Sequence, residues 1–93
     1  MKTYLIGYDL RKTGQDYQNL YDAIKALSGT WWHCLDSTWI IKSNSSAFNI
    51  CEYLKAHIDN NDKLLVTQIA DDAAWIGFDQ KCSDWLKQNI SLV

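Results

Sequence analysis

The stretch TWWHCLDSTWII, residues 30–41, holds three of the chain's five tryptophans, and its reading decides how the rest is built. It reads as two strands around a tight turn at Asp36-Ser37. A strand with one wet face alternates apolar and polar residues. Here Trp31, His33 and Leu35 point one way, and Trp32, Cys34 and Asp36 the other. In the second strand Trp39 and Ile41 oppose Thr38, Ile40 and Lys42. Both faces carry large apolar groups, so both need a cover.

Working outward, KTYLIGYDL (2–10) alternates as a central strand, with Leu5 and Gly7 on one side and Tyr4, Ile6 and Tyr8 on the other. RKTGQD (11–16) is a polar loop. DYQNLYDAIKALSG (16–29) has helical spacing, with Tyr17, Leu20, Tyr21, Ile24 and Leu27 in one stripe. Asp16 suits its N-cap, and Gly29 the left-handed position after its last turn. After the hairpin, NSSAFNICEYLKAHIDNND (44–62) is a second helix capped by Asn44 or Ser45. Its buried stripe is Ala47, Ile50, Cys51, Leu54 and Ile58, and the run 59–62 ends it. KLLVTQI (63–69) is a strand, ADDA (70–73) a turn and AWIGF (74–78) a short fifth strand. DQKCSDWLKQNI (79–90) is a last helix capped by Asp79, with Cys82, Trp85, Leu86 and Ile90 on one side.

This order predicts an α+β fold, a ferredoxin-like βαββαβ sandwich with a four-stranded antiparallel sheet, plus a short C-terminal strand and helix. Right-handed crossovers place the first two helices on the same sheet face. Three covers are open to the other face: a second copy of the chain, the C-terminal helix, or nucleic-acid bases. Ninety-three residues make a single domain, 1–93, with a modest core. With 47% of residues hydrophobic, there is more apolar surface than such a core hides. A homodimer, with the C-terminal segment exchanging contacts across it, is the expected cover.

The net charge is −2, and Arg11 is the one arginine among nine basic residues. Non-specific duplex binders carry a basic excess that this chain lacks. Cys34, Cys51 and Cys82 are odd in number, form no CxxC pair and fall at apolar positions. They read as three buried free thiols in a reducing cytoplasm. No signal peptide or membrane-length apolar run is present.

The residues YLIGYDL (4–10) with Arg11 beyond them, WWHCLDSTW, NDKLLV, AAWIGF and CSDWLK together resemble the CRISPR-associated Cas-two-like family, closest to its stand-alone SinR-family branch. The resemblance implies a homodimer with packed sheet faces and a C-terminal strand that pairs with the partner's sheet edge. It implies a metal-dependent endonuclease of RNA or DNA, or else a non-catalytic clamp that holds DNA. The acidic surface fits an alternative, a non-catalytic dimeric adaptor of a defence or mobile-element system that engages another protein. In the nuclease reading Asp9, ending strand 1, is the catalytic and metal-binding residue. Magnesium is the implied ion, and it usually takes one or two carboxylates plus waters and phosphate oxygens. The partner's Asp9 would be the second carboxylate. Two carboxylates about 4 Å apart repel by roughly 4 kcal/mol at an effective dielectric near 20, so a cation or a shared proton must offset them.

Arg11, Lys12 and Lys42 are the candidate phosphate contacts. Tyr8, Trp31, His33 and Trp39 are the candidate dimer interface. Tyr8, Trp31 and Trp39 could instead stack bases, although no RNP-type pattern accompanies them. His33 reads first as a packed, hydrogen-bonded histidine, and His57 as a residue favoured by the negative end of helix 2.

Overall fold

The structure is a computed structural model that describes residues 1–11 and 17–90. Its elements run β1 (Lys2–Asp9), α1 (Gln18–Ala26), β2 (Trp31–Leu35), β3 (Thr38–Ser43), α2 (Ala47–Lys55), β4 (Lys63–Gln68) and α3 (Gln80–Asn89). The four strands form one sheet in the order β2-β3-β1-β4, and every neighbouring pair is antiparallel. The fold is therefore α+β.

The alternation in β1 sends Tyr4, Ile6 and Tyr8 to one face. There they meet Trp39 and Ile41 of β3, Leu64 and Val66 of β4, and the apolar stripes of α1 (Tyr17, Leu20, Ala23, Ile24) and α2 (Ile50, Leu54). The Tyr4 hydroxyl donates to the Ser45 carbonyl at 2.7 Å, so its buried ring keeps a satisfied polar tip.

Local stops differ from the sequence reading at several points. Asp16 lies outside the described residues. Ser46, not Asn44 or Ser45, caps α2, its hydroxyl accepting from the Asn49 amide at 3.1 Å. Helix α1 closes through right-handed Leu27, with the amides of Leu27 and Ser28 bonded to the carbonyls of Ile24 and Lys25. Gly29 accordingly has no left-handed role, and Gly77, with φ of 94°, is the residue with positive φ among those described. Asp79 caps α3 as expected, accepting from the Cys82 amide at 2.8 Å.

The hairpin turns at Asp36-Ser37, but β2 is not a regular strand. Trp31 and Trp32 oppose Ile41 and Ile40, then Leu35 opposes Thr38, with a register shift between. His33 and Cys34 both stand against Trp39, which is a β-bulge. The extra residue reverses the phase, so Leu35 lines the same side as Trp32, Ile40 and Leu5 rather than the side of Trp31 and His33.

The second sheet face is covered in part by the chain itself. Trp32, Ile40, Leu86 and Ile90 form a second buried cluster, with Cys34, Ile69, Trp75, Phe78, Cys82 and Trp85 packed on it. Phe78 meets Trp32 edge-on at 5.1 Å between centroids. The Trp32 indole donates to the Cys82 carbonyl at 3.1 Å, and Trp85 donates to the Thr30 hydroxyl at 2.7 Å. Of the three covers open to this face, the C-terminal helix occupies the β2–β3 half.

The expected fifth strand at 74–78 does not form. Trp75 and Phe78 turn inward onto the second cluster, and Gly77's left-handed backbone breaks the extended run. A segment that lays its side chains over a face is not free to extend the sheet's edge.

The three cysteines are not all free. Cys34 and Cys82 are joined in a disulfide across 48 residues, and Cys51 is the free thiol. The bulge offers Cys34 to the side on which the first turn of α3 lies. Among the described residues no helix is long and apolar enough to cross a membrane.

Candidate functional site

The end of β1 presents different chemistry on its two faces. On the helix side Tyr8 joins an aromatic group. His33 lies flat on Trp39, centroids 3.9 Å apart at 7°. Trp31 packs on the same indole at 5.3 Å, and Tyr21 at 6.1 Å. Lys25 places its ammonium 5.0 Å from the Trp31 ring centre, within cation–π range. The Trp39 indole N–H donates to the Tyr8 hydroxyl at 3.0 Å. His33 Nδ1 lies 3.0 Å from the Thr38 carbonyl. A carbonyl only accepts, so Nδ1 carries the hydrogen.

The structure thus brings Tyr8, Trp31, His33 and Trp39 together. Trp39, 2% exposed, is enclosed in its own chain, whereas Trp31 is 41% exposed. His33 is packed and hydrogen-bonded, as the residue pattern suggested.

Burial raises the Tyr8 hydroxyl above its ordinary 10.0, the Trp39 bond opposes this, and Tyr21 and Asp36 nearby add to the rise. The sign of the pH effect follows. Below pH 10 the phenol is protonated in both the folded and unfolded chains and contributes its full stability. Above it the unfolded chain loses the proton first, so stability falls as pH rises through the folded value. Urea midpoints measured across this alkaline range should decline more steeply for the parent than for Tyr8→Phe.

On the opposite face β1 carries Leu5, Gly7 and Asp9, which pair with Thr67, Leu65 and Lys63 of β4. The α3 segment does not cover this β1–β4 half in full: Leu65 is 60% exposed, and Ile76 at its margin is 93% exposed. Asp9 is at the tip of this strip. Its carboxylate accepts from Arg11 Nε at 3.1 Å and lies 3.1 Å from a second guanidinium nitrogen, with both side chains more than half exposed.

Asp62 ties Arg11 to Tyr17 and Asp59. This carboxylate accepts from the Arg11 amide at 2.7 Å, from the Tyr17 hydroxyl at 2.9 Å and from the Asp59 amide at 2.8 Å. Sequence reasoning gave Asp62 a helix-ending role only. Its function as the anchor that positions Arg11 beside Asp9 has no local sequence signal.

Lys42 does not join this group. It pairs with Thr3, six residues back along β1, and so is about 20 Å from the strand tip at 3.4 Å per residue. Lys12 lies outside the described residues. Among the described residues no group of three or more His, Cys, Asp or Glu side chains could hold a metal. Asp9 of one chain, matched to Arg11 and, among the described residues, with no second carboxylate on the same strip, does not by itself fit a magnesium ion. The chain was compared with protein-family models, curated proteins and solved structures, and none matches.

Proposed function

We propose that the chain is a ferredoxin-like, Cas-two-like subunit that works as a homodimeric, non-catalytic interaction module. The observation that carries this reading is the open β1–β4 strip. Leu65 and Ile76 are largely exposed there, and Gly7 between Leu5 and Asp9 leaves it flat. Apolar strips of this kind on small domains are interaction surfaces. The element order βαββαβ with strand order β2-β3-β1-β4 supports the ferredoxin-like class. A net charge of −2 suits a protein partner in a defence or mobile-element system better than a duplex. A cytoplasmic setting belongs to the same reading, and the Cys34–Cys82 disulfide would there be open to reduction.

A second reading, a magnesium-dependent endonuclease of RNA or DNA, is favoured by one feature. Asp9 is exposed on the same open strip, so a dimer packed through it could set two Asp9 carboxylates near each other. Arg11 would then turn from Asp9 to phosphate.

Sedimentation at micromolar concentration, run beside a nuclease assay with and without magnesium, tests both. The first reading expects a dimer that Leu65→Asp dissociates and no cleavage of RNA or DNA. Magnesium-dependent cleavage that disappears in Asp9→Ala would replace it with the second. A parent chain that sediments as a monomer would overturn both.

A further inference from the structure

The C-terminal arm is fastened to the sheet by a single covalent bond, and that bond faces a cleft. The cleft, about 470 Å³, runs between β2 and the start of α3 and is lined by Trp31, His33, Cys34, Lys81, Cys82 and Trp85. β2 is an edge strand, so no further strand closes the cleft on its outer side. Beyond Ile69, whose amide donates to the Thr3 carbonyl at 2.8 Å, residues 70–79 form no helix or strand.

Among the described residues the remaining polar ties of α3 to the body are few. They are Trp32 to the Cys82 carbonyl, Trp85 to Thr30, and the Thr3 hydroxyl to the Asn89 carbonyl at 3.1 Å. Cys82 is the third residue of α3, beside Lys81. There the positive end of the helix and the ammonium favour a departing thiolate, while Asp79, already bonded to the Cys82 amide, opposes it.

We propose that Cys34–Cys82 is a site of thiol–disulfide exchange with a dithiol reductant, and that its opening releases α3 from the sheet. In the first step a thiolate of the reductant attacks the Cys34 sulfur. The Cys82 sulfur leaves with the bonding pair and takes up a proton. The reductant's second thiolate then attacks its own sulfur in the mixed disulfide. Cys34 leaves as thiolate and is protonated, and the reductant departs as a cyclic disulfide. Two electrons pass from the reductant, which is oxidised, to the protein.

Once α3 is free, Trp32 and Ile40, now buried beneath it, join Leu5 and Leu65 in one apolar sheet face. Exchange would therefore set the area of the surface on which partners can dock. The inference stands on the cleft and the bond, and holds whether or not the chain dimerises.

The experiment is a dithiothreitol titration of the folded protein in a Cys51→Ala background, without denaturant. Mass spectrometry after alkylation counts free thiols, and amide hydrogen exchange follows α3 and the central strands separately. The expected result is no free thiol before the reductant and two after. Protection of 80–89 should fall by about a hundredfold, the weight of a tether of roughly 15 residues, while β1 and β3 keep theirs. Two free thiols in protein purified without reductant would overturn the proposal. So would a bond that yields only once the whole chain unfolds, or reduction that leaves 80–89 as protected as before.

Discussion

Replacing Trp39 by alanine is expected to cost about 3–5 kcal/mol, as for other large aromatic side chains deleted from a core. Domains of this size hold about 5–15 kcal/mol in all, so the variant would be near the edge of folding. Trp39 is central for three reasons. It is 2% exposed at the middle of the principal core. His33, Trp31 and Tyr21 all pack against its ring. Its N–H supplies the Tyr8 hydroxyl with a partner. Trp39→Phe keeps much of the volume and loses that donor, so a smaller loss of about 1–2 kcal/mol should remain. Urea unfolding at an unchanged slope gives both numbers. A midpoint for Trp39→Ala close to that of the parent would mean that the ring is not enclosed as described.

Removing the disulfide by Cys34→Ser with Cys82→Ser should lower global stability by about 4 kcal/mol. That is the chain-entropy value for a closed loop that here spans 48 residues. The local effect is separate. For an opening that frees α3 while the sheet persists, the free arm begins only at Ile69. The shorter tether is worth about 3 kcal/mol. Urea curves should therefore show the loss of global stability. Hydrogen exchange should show α3 opening well before the strands. A double variant with parental stability and parental α3 protection would show that the bond contributes nothing to either.

Much of the architecture was legible because its signals are local. The stripe Leu20, Ile24 on α1 and Ile50, Leu54 on α2 recurs at helical spacing, and all four residues are buried. Tyr4 and Ile6 alternate with Leu5 and Gly7 as a strand must. The turn at Asp36-Ser37 follows from the pattern on either side. What escaped the sequence is what depends on a single residue's offset or on distant partners. The bulge at His33–Cys34 shifts Leu35 to the other face without altering composition. The disulfide joins positions that no spacing rule connects. AWIGF has strand-like residues, yet Trp75 and Phe78 pack inward on the second buried cluster, Phe78 against Trp32, rather than extending the sheet.

The candidate site was legible in part for the same reason. Asp9 and Arg11 are neighbours along the chain, and the pairing between them is short-range. The anchor that fixes them, Asp62, is distant in sequence and enters from the next strand, one residue before Lys63, the cross-strand partner of Asp9. Lys42, chosen for its charge, sits on β3 beside the other end of β1. The aromatic residues Tyr8, Trp31, His33 and Trp39, expected at a dimer interface, pack instead within one chain around Trp39's enclosed ring.

The irregular β2 has a bearing on what this chain does when crowded. A sheet with two straight margins can recruit further chains at both and grow into fibrils. Here one margin is kinked by its additional residue and pinned beneath the helical arm. Any stacking of chains would have to proceed from β4 alone, where Lys63, Thr67 and Gln68 bracket a run of three apolar residues. Such one-sided growth ends after a single addition, which would favour small discrete assemblies over filaments.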